Sequence, residues 1–282
     1  MADRVPGISM HYCAQKESIC DNIGILPFRL PDNKTFVYTT DTAEWLEFNP
    51  DDLTTSGWFE WNKSDFGGNI ATGTTHIVND VGTTDTIGLL DALDVGITGM
   101  HNFLHFFRIS ADDIHKKIKI GTMDMGSKMP YYHSFGHTED YLCFPKNSVD
   151  FSSAGMFEGH PMIDNFDFNY DNPVVFYIMK KSDGTYKEYT ADHGAFIIHS
   201  GNSYVDEENN YIYDTEMFVK SGNNPFIFFD LNWLRNTSRD VKSVNMRMRR
   251  YTINLDSGDV SYEDLLTKDS DGAGFIMINP NF

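Results

Sequence analysis

The residues of this chain best suited to metal or acid–base chemistry are its histidines. The sequence contains ten of them, and imidazole is the commonest protein ligand for borderline metals and the usual acid–base group near neutral pH. Three of them, His76, His133 and His199, stand at or beside the ends of predicted strands. Binding residues concentrate at such loop junctions on rigid β scaffolds, so these three are candidate ligands. Their spacing alone favours a plainer interpretation, three ordinary turn or core histidines.

Short strands separated by turn residues must position these side chains. The sequence predicts strands over Val174–Met179 and Thr185–Tyr189, joined by a hairpin at Asp183-Gly184. A longer alternating strand, Met246–Leu255, meets a turn at Asp256–Gly258. Strands this short and this numerous are typical of an all-β sandwich, barrel or propeller.

Two shorter strands are predicted at Tyr211–Tyr213 and Phe226–Phe229. Long amphipathic helical patterns do not occur in the sequence, and the segment Asp112–Lys119 is predicted to form one helical turn. The predicted fold class is therefore all-β.

The composition excludes several classes of function. The 282 residues include 22 Lys and Arg against 41 Asp and Glu, a formal net charge of −19. This charge argues against nucleic acid as a partner and against binding of a polybasic segment to anionic lipid, since both interactions need a basic surface. Three cysteines without a C-x-x-C spacing favour a reducing compartment. Since the first ten residues lack the apolar core of a secretory signal, we expect a cytosolic protein.

Each candidate histidine lies in a short sequence word that resembles a motif of the carotenoid cleavage oxygenases. This family includes the animal β-carotene oxygenases and the retinal pigment epithelium isomerohydrolase. The three words are Thr75-His76, His133-Ser-Phe-Gly136 followed by Thr138-Glu139-x-Tyr141, and His199-x-x-Asn202-Ser203-Tyr204. Other words follow the family's order, namely Thr40-Asp41-Thr42, Phe48–Leu53, Arg249–Gly258 and Ile278–Phe282. The resemblance covers roughly residues 20 to 282.

The resemblance implies a seven-bladed β-propeller that holds Fe(II) on its axis through four histidines. Three of these ligands correspond to His76, His133 and His199, and no histidine follows His199 to supply the fourth. Family carboxylates that accept hydrogen bonds from the imidazoles fall at Asp41, one methylene shorter than the family's Glu, and at Gly274, where the carboxylate is missing. Family members are close to twice this length. We therefore expect an N-terminal extension over residues 1–20 and a partial, incomplete propeller over residues 21–282.

The implied activity is Fe(II)-dependent oxidative cleavage of a conjugated double bond in a carotenoid or apocarotenoid. O2 is the co-substrate. The resemblance implies no catalytic residue apart from the metal ligands. Family members also contact membranes peripherally through an apolar patch. Three alternatives stay open: a non-catalytic carotenoid- or retinoid-binding protein, an inactive fragment, and a retinyl ester isomerohydrolase.

The other histidines are predicted not to be ligands. His101 and His105 have the spacing of a helical metal pair but lack the intervening Glu of the zinc proteases, and the resemblance places them on a strand. We expect His137 and His160 in solvated loops and His193 in a surface turn. Ser134 and Ser200 adjoin histidines without a nucleophile elbow, which argues against a serine hydrolase.

Overall fold

The structure of this protein is a computed structural model that describes residues 26–41, 45–59, 66, 69–96, 99–151, 165–220, 235–238 and 246–266. The regular elements within these ranges are strands, which confirms the all-β prediction. The first nine are β1 Leu26–Arg29, β2 Phe36–Thr39, β3 Trp45–Phe48, β4 Thr55–Phe59, β5 Asn69–Gly73, β6 Val78–Asn79, β7 Thr86–Gly96, β8 Gly99–Ser110 and β9 Asp113–Gly126. The next seven are β10 Met129–Pro130, β11 Gly136–His137, β12 Tyr141–Lys146, β13 Val149–Phe151, β14 Phe166–Phe168, β15 Val175–Lys180 and β16 Tyr186–Thr190. The last four are β17 Phe196–Val205, β18 Asn210–Phe218, β19 Met246–Asn254 and β20 Val260–Asp264.

These strands form small sheets in which neighbours in the chain are mostly neighbours in space. The sheet orders are β1-β2-β3-β4, then β5-β7-β8-β9 with β6 on β7, then β10-β13-β14, then β11-β12-β15-β16, and last β17-β18-β19-β20. Sheets of four strands built from consecutive hairpins are the unit from which propellers are assembled.

The described chain divides into two compact units. The first comprises residues 1–129, 151–165 and 179–186, and the second comprises residues 130–150, 166–178 and 187–282. The first unit has a core of apolar side chains from β1 to β8, formed by Leu30, Val37, Trp45, Phe59, Phe66, Ile70, Ile77, Leu90, Ala92, Phe107 and Ile109. The alternation of strand side chains between the two faces of a sheet brings these residues to one side.

The second unit has its own core, and tyrosines contribute much of it. Tyr211, Tyr213 and Tyr251 are fully buried, and they pack with Cys143, Val174, Phe176, Ile178, Ile197, Met217 and Ile253. Aromatic rings bury a large apolar area while they keep a polar tip. The core of this unit therefore carries hydroxyl groups as well as apolar side chains.

The predicted hairpin at Asp183-Gly184 and the predicted turn at Asp256–Gly258 are confirmed, and one local prediction is wrong. Gly184 between β15 and β16 has φ +72°, and Gly258 between β19 and β20 has φ +86°, a left-handed conformation that glycine adopts without strain. The segment Asp112–Lys119 is not a helical turn, because β9 begins at Asp113 and pairs with β8, Arg108 lying opposite Ile118. The pairing with β8 overrides the local preference.

Some predictions fall on residues outside the described ranges. These are the strand at Phe226–Phe229, the carboxylate position at Gly274, the word Ile278–Phe282, His160 and the boundary at residue 20. The Tyr211–Tyr213 strand is confirmed and is longer than predicted, since β18 runs from Asn210 to Phe218. Within the described residues, no helix has the length and apolar character needed to cross a membrane.

Candidate metal centre

His199 lies on β17 directly opposite Glu216 on β18. Because directly opposed residues of an antiparallel pair point to the same face, their side chains meet. The His199 Nδ1 atom lies 3.0 Å from Glu216 Oε2, and both side chains are buried. A carboxylate accepts a hydrogen bond only from a protonated nitrogen, so this contact places the proton on Nδ1 and leaves Nε2 as the nitrogen able to bind a metal.

A β-bulge creates this pairing. Ser203 pairs with Tyr213 near the turn, and continuing that register would place Met217 opposite His199. The register shifts between Ser200 and Ser203, so that Glu216 faces His199 instead. A one-residue shift in a strand exchanges its two faces, and bulges are used in this way to direct side chains at sites.

His133 lies beside His199 within the same unit. It belongs to the segment between β10 and β11, and its ring centroid is 5.1 Å from that of His199, with the ring planes at 67°. Its side chain is largely buried. Two imidazoles in an edge-to-face arrangement at this distance can direct nitrogens toward a shared point.

Gly136 fixes the end of the segment that carries His133. A Cβ atom at this position would lie 2.8 Å from Ser203 Oγ, Tyr211 Oη and Tyr213 Cε2. The segment therefore approaches the hairpin β17–β18 more closely than any side chain allows. This close approach explains why glycine ends the word that begins at His133.

His76 lies in the first unit, between β5 and β6, and its segment is held through the preceding residue. Asp41 Oδ1 accepts hydrogen bonds from Thr75 Oγ1 at 2.6 Å and from Thr75 N at 3.3 Å. Thr39 Oγ1 donates to the Thr75 carbonyl at 2.6 Å. Asp41 thus positions the backbone next to His76, and a hydrogen bond from an imidazole to Asp41 stays a prediction.

The histidines predicted not to be ligands have identifiable surroundings. His101 and His105 lie on strand β8, as predicted. His105 Nδ1 lies 2.8 Å from Thr122 Oγ1, and burial, with a smaller contribution from the Lys119 charge, lowers the pKa of His105 to about 4. His193 lies in a bend, where its Nε2 is 2.9 Å from Tyr251 Oη. His137 is half-buried in β11, so its prediction as a solvated loop residue is wrong.

Glu216 is the residue of the candidate site that the sequence did not reveal. The word D-T-E in β18 has no pattern that marks a residue for a metal site, and the carboxylate positions inferred from the resemblance were Asp41 and Gly274. Only the register of β17 on β18 identifies Glu216 as the partner of His199.

A family comparison identifies the chain. The model of the retinal pigment epithelial membrane protein family, RPE65, matches residues 17–282. The chain belongs to the carotenoid cleavage oxygenase family. No curated protein matches it in sequence.

Solved structures show the fold of this family member. A mutant of Synechocystis apocarotenoid oxygenase superimposes with a TM-score of 0.63 at 16% identity, over 85% of this chain and 48% of the other. A chimera of apocarotenoid oxygenase and RPE65 gives 0.66 at 14% identity, over 89% and 49%. The cobalt-substituted Synechocystis apocarotenoid oxygenase gives 0.61 at 16% identity, over 84% and 47%. The chain therefore has part of a β-propeller fold and spans about half the length of the structures that it matches.

Proposed function

We propose that this carotenoid oxygenase cleaves a conjugated double bond of a carotenoid or apocarotenoid with O2, using Fe(II) held by His76, His133 and His199. Within the second unit, the His133 and His199 ring centroids lie 5.1 Å apart, and Glu216 binds the far side of His199. That pair of imidazoles is the observation that carries the proposal. Imidazole donors suit iron and its first-row neighbours, and a relative of this fold has been solved with cobalt.

The chemistry of the three histidines also fits a divalent metal ion. Neutral imidazoles bind a divalent cation without a proton to displace, and Glu216 keeps His199 in the tautomer with Nε2 available. A carboxylate behind the ligand also offsets part of the positive charge in a buried site. Three protein ligands leave coordination positions for O2 and substrate.

Fe(II), when bound, supplies the O2 activation that this reaction requires. The reaction inserts one oxygen atom at each carbon of the broken C=C bond, so one alkene and one O2 give two carbonyl products. Residues around the histidines would hold the imidazoles in position for the metal. His199 is held by Glu216, and the segment of His76 is held by Asp41 through Thr75.

Product analysis tests this proposal directly. The purified chain, loaded anaerobically with Fe(II), is given an apocarotenal and 18O2, and the products are analysed by mass spectrometry. We expect two carbonyl products, each with one labelled oxygen, and none from the His133→Ala variant. An iron-loaded chain that binds the apocarotenoid without cleaving it contradicts the proposal and supports a binding protein.

A second candidate is the retinyl ester isomerohydrolase reaction, because the matching family model is that of the retinal pigment epithelial membrane protein. The same assay with a retinyl ester separates the two reactions, since hydrolysis releases a fatty acid and leaves the polyene intact. A cytosolic location and peripheral membrane contact through an apolar patch belong to the same proposal.

A further inference from the structure

Within the described residues, polar side chains cover much of the edge of β17 that lies opposite to β18. β17 is the first strand of its sheet, so one of its edges faces away from β18. Asn147 Oδ1 accepts from Ile197 N at 2.7 Å and its Nδ2 donates to Ile197 O at 3.0 Å. Ser148 Oγ accepts from Ala195 N at 2.8 Å. These amide and hydroxyl groups take the places that a neighbouring strand would fill.

Ser134 continues this row at the position of the histidine. Its Oγ donates to the Ile198 carbonyl at 3.0 Å and accepts from Ser200 N at 2.6 Å. A single hydroxyl therefore binds the backbone on both sides of His199. The same oxygen lies 3.1 Å from Ser200 Oγ, which in turn contacts the buried Tyr213 hydroxyl.

The position of Ser134 in the chain makes it a link between the two histidines. Ser134 directly follows His133, and the two residues it bridges flank His199. β17 is irregular at this point, since its pairing with β18 shifts between Ile197 and His199 and again between Ser200 and Ser203. Because the pairing is irregular on both sides of His199, the hydrogen bonds between β17 and β18 alone do not fix its position.

We infer that the Ser134 hydroxyl is a positioning group that joins the segment of His133 to the backbone of His199 and sets the separation of the two imidazoles before any metal binds. This inference rests on the proposed metal site. The hydrogen bonds explain why the His133 and His199 rings, from different parts of the chain, meet at 5.1 Å. Ligands that are already held in place bind a metal more tightly, because binding then costs less conformational entropy.

A matched pair of serine variants tests this. Ser134→Ala and Ser148→Ala each remove a buried hydroxyl that binds backbone next to or within β17, but Ser148 acts at Ala195, away from the histidine. We expect both variants to lose stability. Only Ser134→Ala is expected to weaken Co(II) affinity by about tenfold or more and to shift the Co(II) absorption bands.

A second measurement uses the metal-free protein. In the wild-type chain and in Ser148→Ala, NMR should detect NOEs between the His133 and His199 ring protons, and these should weaken in folded Ser134→Ala. Unchanged NOEs and unchanged Co(II) affinity in Ser134→Ala overturn the inference, as does an equal loss in Ser148→Ala. A wild-type chain that binds no metal refutes the proposed function, while the metal-free NOEs still decide the role of Ser134.

Discussion

Glu216 Oε2 lies 3.0 Å from His199 Nδ1, across a pair of strands whose register has shifted by one residue. The contact fixes the imidazole tautomer and the ring orientation, and it places a carboxylate behind a proposed metal ligand. Hydrogen-bond partners of metal ligands commonly change metal affinity 10–100-fold.

Glu216→Gln should therefore weaken metal binding more than it weakens the fold. The amide keeps the shape of the side chain but removes its charge, so we expect Co(II) affinity to fall about 10–100-fold. Titration calorimetry with Co(II) measures this. The matched control is Glu207→Gln, because Glu207 is exposed in the turn between β17 and β18. Equal affinities for wild type and Glu216→Gln would show that the pair does not serve the metal.

Asp91 should make the stability of the chain depend on pH. It is fully buried in β7, and neither carboxylate oxygen has a hydrogen-bond partner among the described residues. Burial raises the pKa of Asp91 from 3.8 to about 7. The unfolded chain then loses its proton at lower pH than the folded chain, so the free energy of unfolding falls as pH rises from about 4 to about 7, by up to about 4 kcal/mol.

Asp91→Asn removes this titration. Urea unfolding at pH 5, 6, 7 and 8 should show a variant that gains stability over the wild type as pH rises, and the gain should level off above pH 7. The exposed Asp112→Asn serves as the control and should parallel the wild type. A wild-type–variant difference that does not change with pH would contradict the buried, protonated carboxyl.

Gly136→Ala should destabilise the segment that carries His133. The added methyl would lie 2.8 Å from Tyr211 Oη and Tyr213 Cε2, and both tyrosines are fully buried. Overpacking of this kind costs about 1–3 kcal/mol, and chemical unfolding measures it. Combining Gly136→Ala with Tyr211→Phe removes one clashing oxygen and should recover part of the loss. Full stability of Gly136→Ala would show that the approach is looser than the structure indicates.

Local patterns predicted some features of this fold, and others depend on tertiary pairing. Asp183-Gly184 and Asp256–Gly258 carry their turn chemistry in adjacent residues, so their hairpins were predictable. The segment Asp112–Lys119 was predicted wrongly because its strand state depends on pairing with β8. The three histidine words were informative because they occur together in the family's order.

The partners of those histidines were not predictable in the same way. Glu216 faces His199 only because a bulge displaces Met217 from that position, and no residue count along β17 and β18 reveals a bulge. The sequence around Ser134 lacks a nucleophile elbow and predicts no other role, whereas its hydroxyl binds the backbone on both sides of His199. The Ser134 contacts join residues 64 and 66 positions apart, and local sequence does not encode them.

Metal stoichiometry tests the central claim most directly. The purified wild-type chain and the variants His76→Ala, His133→Ala and His199→Ala are loaded anaerobically with Fe(II), desalted and assayed for iron and protein. The control is His101→Ala, at an exposed side chain of β8. The account predicts one iron per chain for wild type and His101→Ala, and loss of most iron in each of the other three variants. A folded wild-type chain without iron, or three variants that keep it, would contradict the account.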